Sequence, residues 1–168
     1  MEIGILSDTH NVQKNILTAL AVLRERAIHT VIHCGDITSP ETVELFAGFD
    51  VRFVLGNMDS DRNDLIDAAR WIGAMPPQFS REIEVAGKLI AACHGSDRGL
   101  LYRLMMGGKY SYVCHGHTHE RRNEFRSAYS VRLINPGALG GSRPQTRSIC
   151  ILEVESDGVE FVEFPELL

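Results

Sequence analysis

The sequence has no pair of cysteines spaced as Cys-x-x-Cys and no cluster of cysteines of any kind. Its four cysteines, Cys34, Cys93, Cys114 and Cys150, lie far apart along 168 residues. Such usage argues against an extracellular disulfide framework and favours reduced thiols in a cytoplasm. We interpret all four as small buried hydrophobic residues, and we expect a cytoplasmic protein.

Long apolar runs and basic tracts are also absent from the sequence. No stretch approaches the ~20 apolar residues of a membrane span, so we expect no membrane partner. The formal charge of −5 argues against a stable nucleic-acid partner, because nucleic-acid-binding surfaces are usually basic. The sequence leaves open whether Trp71 and Phe79 complete the core or form the interface of a homo-oligomer.

The first half of the chain alternates between strand and helix patterns. Short apolar segments predict strands at residues 3–7, 30–34 and 51–55. After each strand, apolar residues recur at helical spacing. The first helix is expected to have Asn11 as its N-cap, and Ser39-Pro40 is expected to begin a second helix that reaches about residue 47. A third helix is expected over residues 65–72. This order predicts right-handed crossovers and a largely parallel sheet.

The second half is dominated by hairpin patterns. Strands at residues 81–85 and 89–93 flank Ala86-Gly87-Lys88, and a closing pair at 148–154 and 159–164 flanks Asp157-Gly158. Between them we expect a helix over 100–106 and strands at 110–114, 123–126 and 129–134. The whole pattern predicts one α/β domain over residues 1–168, with two sheets packed face to face and helices outside.

Metal-capable side chains follow five of the predicted strands. In chain order they are Asp8 and His10, then Asp36, then Asn57 and Asp59, then His94, and finally His117 and His119. Ligands of open α/β sheets bind at the carboxyl ends of the strands, so these groups are expected to converge. Their nitrogen and oxygen donors suit Mn, Fe, Zn or Ni better than Ca.

Other chemistries fit the sequence less well. Each fragment taken alone is most simply an ordinary turn, and only the ordered set favours a site. A thiolate zinc site is disfavoured because Cys93 and His94 are adjacent and face opposite sides of a strand. Ser96 lacks the surrounding Gly-x-Ser-x-Gly motif of a serine hydrolase. Together with Asp97 it is better interpreted as the cap region of the next helix. A Walker-type phosphate loop is also absent.

The combined motifs resemble those of the calcineurin-like metallophosphoesterase superfamily. The matching motifs are Asp8-x-His10, Gly35-Asp36, Gly56-Asn57-x-Asp59, His94-Gly95 and Gly116-His117-x-His119. The short chain and Asn135-Pro136-Gly137 resemble the compact bacterial and archaeal phosphodiesterase branch. This resemblance implies a four-layer α/β/β/α sandwich of two mixed β-sheets flanked by helices.

The resemblance also implies a binuclear metal centre. Asp8, His10 and His119 would hold one divalent ion, Asn57, His94 and His117 the other, and Asp36 would bridge them. Mn is the expected metal, with Ni, Fe and Zn as alternatives. The implied activity is hydrolysis of a small phosphodiester by hydroxide generated between the two ions, without a covalent enzyme intermediate. The implied catalytic residues are Asp36, Asn57, Asp59 and His94.

Three features qualify this resemblance. Many family members carry a histidine where this chain has Met58, and a thioether cannot protonate a leaving group, so we expect weak activity on alkyl monoesters and better activity on activated diesters. Asp59 is expected to orient a ligand histidine or a water, with a solvated carboxylate as the alternative. Among the arginines, Arg62, Arg98 and Arg143 are candidates to bind a phosphate or a second ester group.

The rival interpretation is a catalytically inactive protein-interaction scaffold on the same fold. A retromer subunit that resembles this family has lost metal ligands and works through protein contacts. Here every ligand position holds a coordinating residue type, which favours the hydrolase.

Overall fold

The computed structural model describes residues 1–167 of the chain. The first half contains β1 (Glu2–Leu6), α1 (Gln13–Glu25), β2 (Thr30–His33), α2 (Pro40–Glu44), β3 (Asp50–Phe53) and α3 (Arg62–Trp71). The second half contains β4 (Ser80–Val85), β5 (Lys88–Cys93), α4 (Arg98–Met106), β6 (Tyr112–Cys114), β7 (Arg122–Arg126), a 3₁₀ turn (Ser127–Tyr129), β8 (Val131–Asn135), β9 (Arg147–Glu153) and β10 (Gly158–Phe164).

The strands form two mixed sheets of five strands each. The first sheet has the order β10-β9-β1-β2-β3, in which β1, β2 and β3 run parallel, β9 runs antiparallel to β1, and β10 runs antiparallel to β9. The second has the order β4-β5-β6-β8-β7, with β5, β6 and β8 parallel and an antiparallel strand at each edge. The parallel strands of each sheet therefore end at one edge, where ligands usually bind.

Three apolar clusters separate four layers. Successive side chains of a strand point to opposite faces of its sheet, and this assigns the residues of β1 to different clusters. Ile3 and Ile5 pack between the two sheets, whereas Leu6 packs on the side that carries α1, α2 and α3. On the far side of the second sheet, Val113 and Leu133 pack against Met105 of α4. This arrangement is the α/β/β/α sandwich that the resemblance implied.

One predicted helix start is wrong. Val12, and not Asn11, precedes α1, and no side-chain cap is present there. Asn11 has φ of 56°, and its Oδ1 accepts hydrogen bonds from the hydroxyls of Ser39 and Thr42 at 3.0 Å each. The side chain therefore ties the loop after β1 to α2 instead of capping its own helix.

The caps of the later helices agree better with the sequence. The hydroxyl of Ser39 accepts from the backbone N–H of Thr42 at 3.3 Å, with Pro40 in the first turn of α2, as predicted. That helix is shorter than expected and ends at Glu44. Asp97 caps α4 by accepting from the N–H of Leu100 at 3.0 Å.

Trp71 and Phe79 do not complete the core, because their side chains are 83% and 54% exposed. Among the helices of residues 1–167, none combines the length and the apolar composition that crossing a bilayer requires.

Candidate metal centre

Backbone hydrogen bonds join the loops after the parallel strands in pairs within each sheet, and the N–H of His117 donates to Oδ2 of Asp8 across the two sheets. The N–H of Asp8 donates to Gly35 O at 2.9 Å, and the N–H of His10 donates to Asp36 O at 3.1 Å, which couples the loops after β1 and β2. In the second sheet, the N–H of Gly116 donates to His94 O at 2.9 Å. The chain thus delivers the predicted side chains from both sheets to one place.

The first compact group of possible ligands consists of Asp8, His10 and His119, whose donor atoms lie within 4.8 Å of one another. Two imidazole nitrogens, Nε2 of His10 and Nε2 of His119, face each other at 3.4 Å. Nε2 of His119 also lies 3.2 Å from Oδ1 of Asp8. Two imidazoles and a carboxylate at this separation suit a first-row transition metal.

The second compact group consists of Asp8, Asp36 and His94, all of them buried. Nε2 of His94 lies 3.4 Å from Oδ1 of Asp36 and 3.0 Å from Oδ1 of Asn57. Nδ1 of His94 lies 2.8 Å from the carbonyl oxygen of Cys34. Because a carbonyl only accepts, Nδ1 carries the proton and Nε2 offers its lone pair to the centre.

Asp36 lies between the two groups. One carboxylate oxygen faces His94, and the other lies 3.8 Å from Nε2 of His10. Asp8 contributes to both groups, which the sequence did not indicate. His117 lies outside these compact groups, although its ring packs 5.1 Å from the ring of His94, centroid to centroid. Neither group contains a thiol.

The buried carboxylate of Asp8 tests whether these residues fit a cation. Its Oδ2 accepts from the backbone N–H of His117 at 3.0 Å, but its Oδ1 is fully buried and makes no hydrogen bond with any of the described residues, because the 3.2 Å contact with Nε2 of His119 lacks hydrogen-bond geometry. A buried, unpartnered carboxylate oxygen is costly unless a cation or a donor satisfies it. Divalent ions fit this donor set well.

Charges at the centre shift the pKa values of its members. Burial by itself raises the pKa of Asp36, but the contacts with His94, the N–H of Met58 and His10 outweigh it and leave the pKa lowered. Burial likewise lowers the pKa of His94, but the carboxylates of Asp36 and Asp8 reverse this and leave it raised. The pKa of His117 is lowered, first by burial and then by His94. The centre therefore attracts positive charge while His117 keeps a free lone pair.

Backbone strain is concentrated at the same residues. Asp8, His10, Asp36, His117 and His119 all have positive φ, between 44° and 68°. Residues other than glycine rarely adopt this region, and such strain clusters at functional sites.

Two glycines let the loops approach the carboxylates. A Cβ atom on Gly56 would lie 2.1 Å from Oδ1 of Asp36, and a Cβ on Gly116 would lie 2.5 Å from Oδ2 of Asp8 and 1.8 Å from the hydroxyl of Ser7. These glycines belong to the motifs because no larger side chain fits there.

Asp59 is buried beneath the loop that carries Asp36. It is 1% exposed, so it is not a solvated carboxylate. Its oxygens accept from the backbone N–H groups of Gly56 at 2.7 Å, Thr38 at 2.8 Å and Asp36 at 3.1 Å. Asp59 therefore orients the backbone that carries Asp36.

Asn135 supports the histidine loop, a role that sequence reasoning missed. Its fully buried side chain donates to Gly116 O at 2.9 Å and to the hydroxyl of Thr118 at 3.0 Å, and its Oδ1 accepts from the N–H of Gly137 at 3.0 Å. The available signal is the motif Asn135-Pro136-Gly137.

His33 links the two loops of the first sheet and was also missed. It is fully buried, with Nε2 3.1 Å from the hydroxyl of Thr9, while Nδ1 accepts from the N–H of Gly35 at 3.2 Å. Burial lowers its pKa to about 4. A histidine at the end of an apolar strand carries no local signal of this role.

A hollow of about 380 Å³ opens onto the centre. Five of the predicted site residues line it, together with Met58 and residues 141–143. Met58 is 55% exposed. The five are His10, Asp36, Asn57, His117 and His119.

Comparison with known proteins agrees with this geometry. A sequence profile of the calcineurin-like phosphoesterase superfamily domain matches residues 1–157. A phosphodiesterase of Methanocaldococcus jannaschii is 31% identical over 161 residues, which cover 92% of this chain and 94% of the relative. A probable metallophosphoesterase of the same organism is 29% identical and covers 92% of this chain and 77% of the relative. The chain therefore belongs to the calcineurin-like phosphoesterase superfamily.

Solved structures give the same result for the fold. An archaeal phosphodiesterase superposes with a TM-score of 0.90 at 30% identity, over 98% of this chain and 100% of that one. Vacuolar protein sorting 29 of Cryptosporidium parvum superposes with a TM-score of 0.66 at 19% identity, over 97% of each chain. The predicted family and fold class are confirmed.

Proposed function

We propose that this protein is a metal-dependent phosphodiesterase that hydrolyses small phosphodiesters with the help of two divalent ions. The observation that carries the proposal is the pair of ligand groups that share Asp8. Oδ1 of Asp8 is buried there without a hydrogen bond, and the two carboxylate oxygens of Asp36 lie near His94 and His10. One ion would be held by Asp8, His10 and His119. The other would be held by Asn57, His94 and His117, with Asp36 between the two.

Bound divalent ions supply Lewis-acid polarisation of a phosphoryl oxygen and a water acidified toward neutral pH. The chain supplies the geometry for this chemistry. The carbonyl of Cys34 fixes the tautomer of His94, and the N–H of Met58, 2.9 Å from Oδ1 of Asp36, fixes the orientation of that carboxylate. Because these groups are set before substrate binds, little reorganisation is needed in the transition state.

The proposed preference for activated diesters has two supports: Met58 bears on the quality of the leaving group, and the relatives bear on diester over monoester. Met58 lines the hollow at the position where many family members carry a histidine, and its thioether has no proton to donate. Substrates with good leaving groups need that proton least. The names of the M. jannaschii relative and of the superposed archaeal enzyme support a diester over a monoester.

The proposal is tested by metal analysis and turnover together. The purified protein is stripped with a chelator, reloaded separately with Mn, Ni, Fe or Zn, and assayed on bis(p-nitrophenyl) phosphate and on glycerol phosphate. We expect about two ions per chain, with Mn the most effective, and turnover of the aryl diester well above that of the alkyl monoester. Preference for the monoester would contradict the diester assignment.

Asp36→Asn should abolish turnover, and Asp64→Asn is the matched control because Asp64 is an exposed carboxylate on α3. The rival candidate, a protein-interaction scaffold, draws on the fold shared with the sorting protein. A scaffold would give the same background turnover in both variants, whether or not it binds a metal ion.

The proposed location is the cytoplasm. All four cysteines of the chain are free and buried, which supports a reducing compartment.

A further inference from the structure

Of the three candidate arginines, one reaches the hollow. Arg62 stacks on the ring of Phe79, with its guanidinium carbon 4.8 Å from the ring centroid, and lies in a separate depression. Arg98 begins helix α4 and is exposed to solvent. Arg143 lines the hollow and is the one arginine or lysine among its lining residues.

The segment that carries Arg143 is fixed against the metal ligands. The N–H of Gly140 donates to Asp8 O at 2.8 Å, and a Cβ atom on Gly141 would lie 3.0 Å from Cε1 of His119. The buried guanidinium of Arg147 donates to the carbonyls of Gly140 at 2.6 Å and Gly141 at 2.7 Å. These bonds hold the chain just before Arg143 in one place above the histidines.

The guanidinium of Arg143 has donors to spare. One nitrogen, Nη1, donates to Thr118 O at 3.0 Å, in the loop between His117 and His119. Within residues 1–167, no carboxylate forms an ion pair with this side chain. A planar guanidinium with unused N–H groups binds phosphate oxygens in a two-point manner that a lysine cannot reproduce.

We propose that Arg143 determines substrate specificity by binding a second anionic group of the substrate, separate from the scissile phosphate. This inference rests on the proposed function, in which the scissile phosphate binds at the buried ligand groups. Arg143 is exposed, whereas the ligand groups that would hold the scissile phosphate are buried or half-buried. A hollow of about 380 Å³ falls in the ~300–1,000 Å³ range of pockets that hold ligands much larger than a phosphate. The substrate class is therefore a diester that carries a further phosphate, such as a phosphorylated oligonucleotide end.

Two dinucleotides that differ by one phosphate test this specificity. The Mn-loaded protein is assayed on thymidylyl-thymidine and on the same dinucleotide with a 5′-phosphate. We expect a lower KM for the phosphorylated substrate and about a tenfold rise of that KM in Arg143→Gln, equivalent to ~1.4 kcal/mol. The KM for the unphosphorylated dinucleotide should change less than about twofold, and Arg143→Lys should restore part of the loss.

Binding without diester hydrolysis provides an independent measurement. Calorimetric titration of the Mn-loaded protein compares thymidine 3′,5′-bisphosphate with thymidine 5′-monophosphate. We expect the bisphosphate to bind more tightly, and Arg143→Gln to remove most of that difference. Arg98→Gln is the matched control, since it changes the net charge equally from outside the hollow.

Three results would overturn the proposal. Equal weakening of both ligands by Arg143→Gln would mean that Arg143 binds the scissile phosphate itself. An identical effect of Arg98→Gln would reduce the role to general electrostatics, and no effect of either variant would remove Arg143 from recognition. Failure of the wild-type protein to cleave the activated diester bis(p-nitrophenyl) phosphate would instead contradict the proposed function, while the bisphosphate titration would still decide the role of Arg143.

Discussion

Replacement of Asp59 by asparagine removes the carboxylate on which the Asp36 loop is built. Oδ2 accepts from two backbone N–H groups, those of Gly56 and Asp36, and Oδ1 accepts from the N–H of Thr38. Asparagine has a single acceptor oxygen. If that oxygen keeps the two bonds of Oδ2, the new amide group faces the N–H of Thr38, and two donors meet in a buried place.

The expected cost follows from these contacts. One hydrogen bond to a charged acceptor is lost and a buried donor is left unsatisfied, which together cost about 3 kcal/mol of unfolding free energy. Thr38 is β-branched and has φ of 72°, so this bond also holds a strained residue in place. Because a shift of this loop would also shift the carboxylate of Asp36, we expect metal affinity to fall by about 10- to 100-fold, as is typical when a residue that orients a ligand is changed.

The assay measures stability and metal binding separately. Chemical denaturation of the metal-free protein gives the unfolding free energy, and calorimetric titration with Mn gives the affinity. Asp64→Asn, which makes the same charge change at an exposed position of α3, is the control. If Asp59→Asn unfolds and binds Mn like the control, Asp59 does not support the centre.

Three further changes test other parts of the site. Gly116→Ala should eliminate stoichiometric metal binding, because the new Cβ would lie 1.8 Å from the hydroxyl of Ser7. The control Gly158→Ala, whose Cβ would have no atom closer than 3.3 Å, should retain it. Equal metal content of the two variants by elemental analysis would contradict the steric argument. Burial lowers the pKa of His33 to about 4, so between pH 6.5 and 4 the unfolded chain binds a proton that the folded chain does not. The free energy of unfolding therefore decreases as the pH is lowered through this range. His33→Gln should reduce that decline by on the order of 3 kcal/mol in denaturation series run across this window, and an unchanged slope would contradict the neutral buried state. Met58→His should raise turnover of glycerol phosphate by at least about tenfold, a fraction of the ~10²–10⁴ that a positioned acid contributes, and no gain would mean that position 58 does not face the leaving group.

The amino-acid sequence determined the strands and the residues that follow them. Asp8 and Asp36 follow apolar segments of one sheet whose parallel strands end at one edge, so their convergence could be predicted from local pattern, whereas the approach of His94 from β5 depends on how the second sheet packs on the first. The cap at Ser39-Pro40 was equally local. Asn11 was mistaken for a cap because the left-handed turn at Asp8 and His10, which aims the ligands, also redirects Asn11 toward α2.

Only the tertiary structure decided which polar residues support those ligands. Asn135 bonds to the loop at Gly116, His33 bonds to Thr9, and Arg147 holds the glycines beside Arg143. Three arginines that looked equivalent in sequence were separated by where the folded loops place them. Local chain chemistry sets the secondary structure, but a buried hydrogen bond between segments distant in sequence exists only after the chain has folded, so no pattern of neighbouring residues announces it.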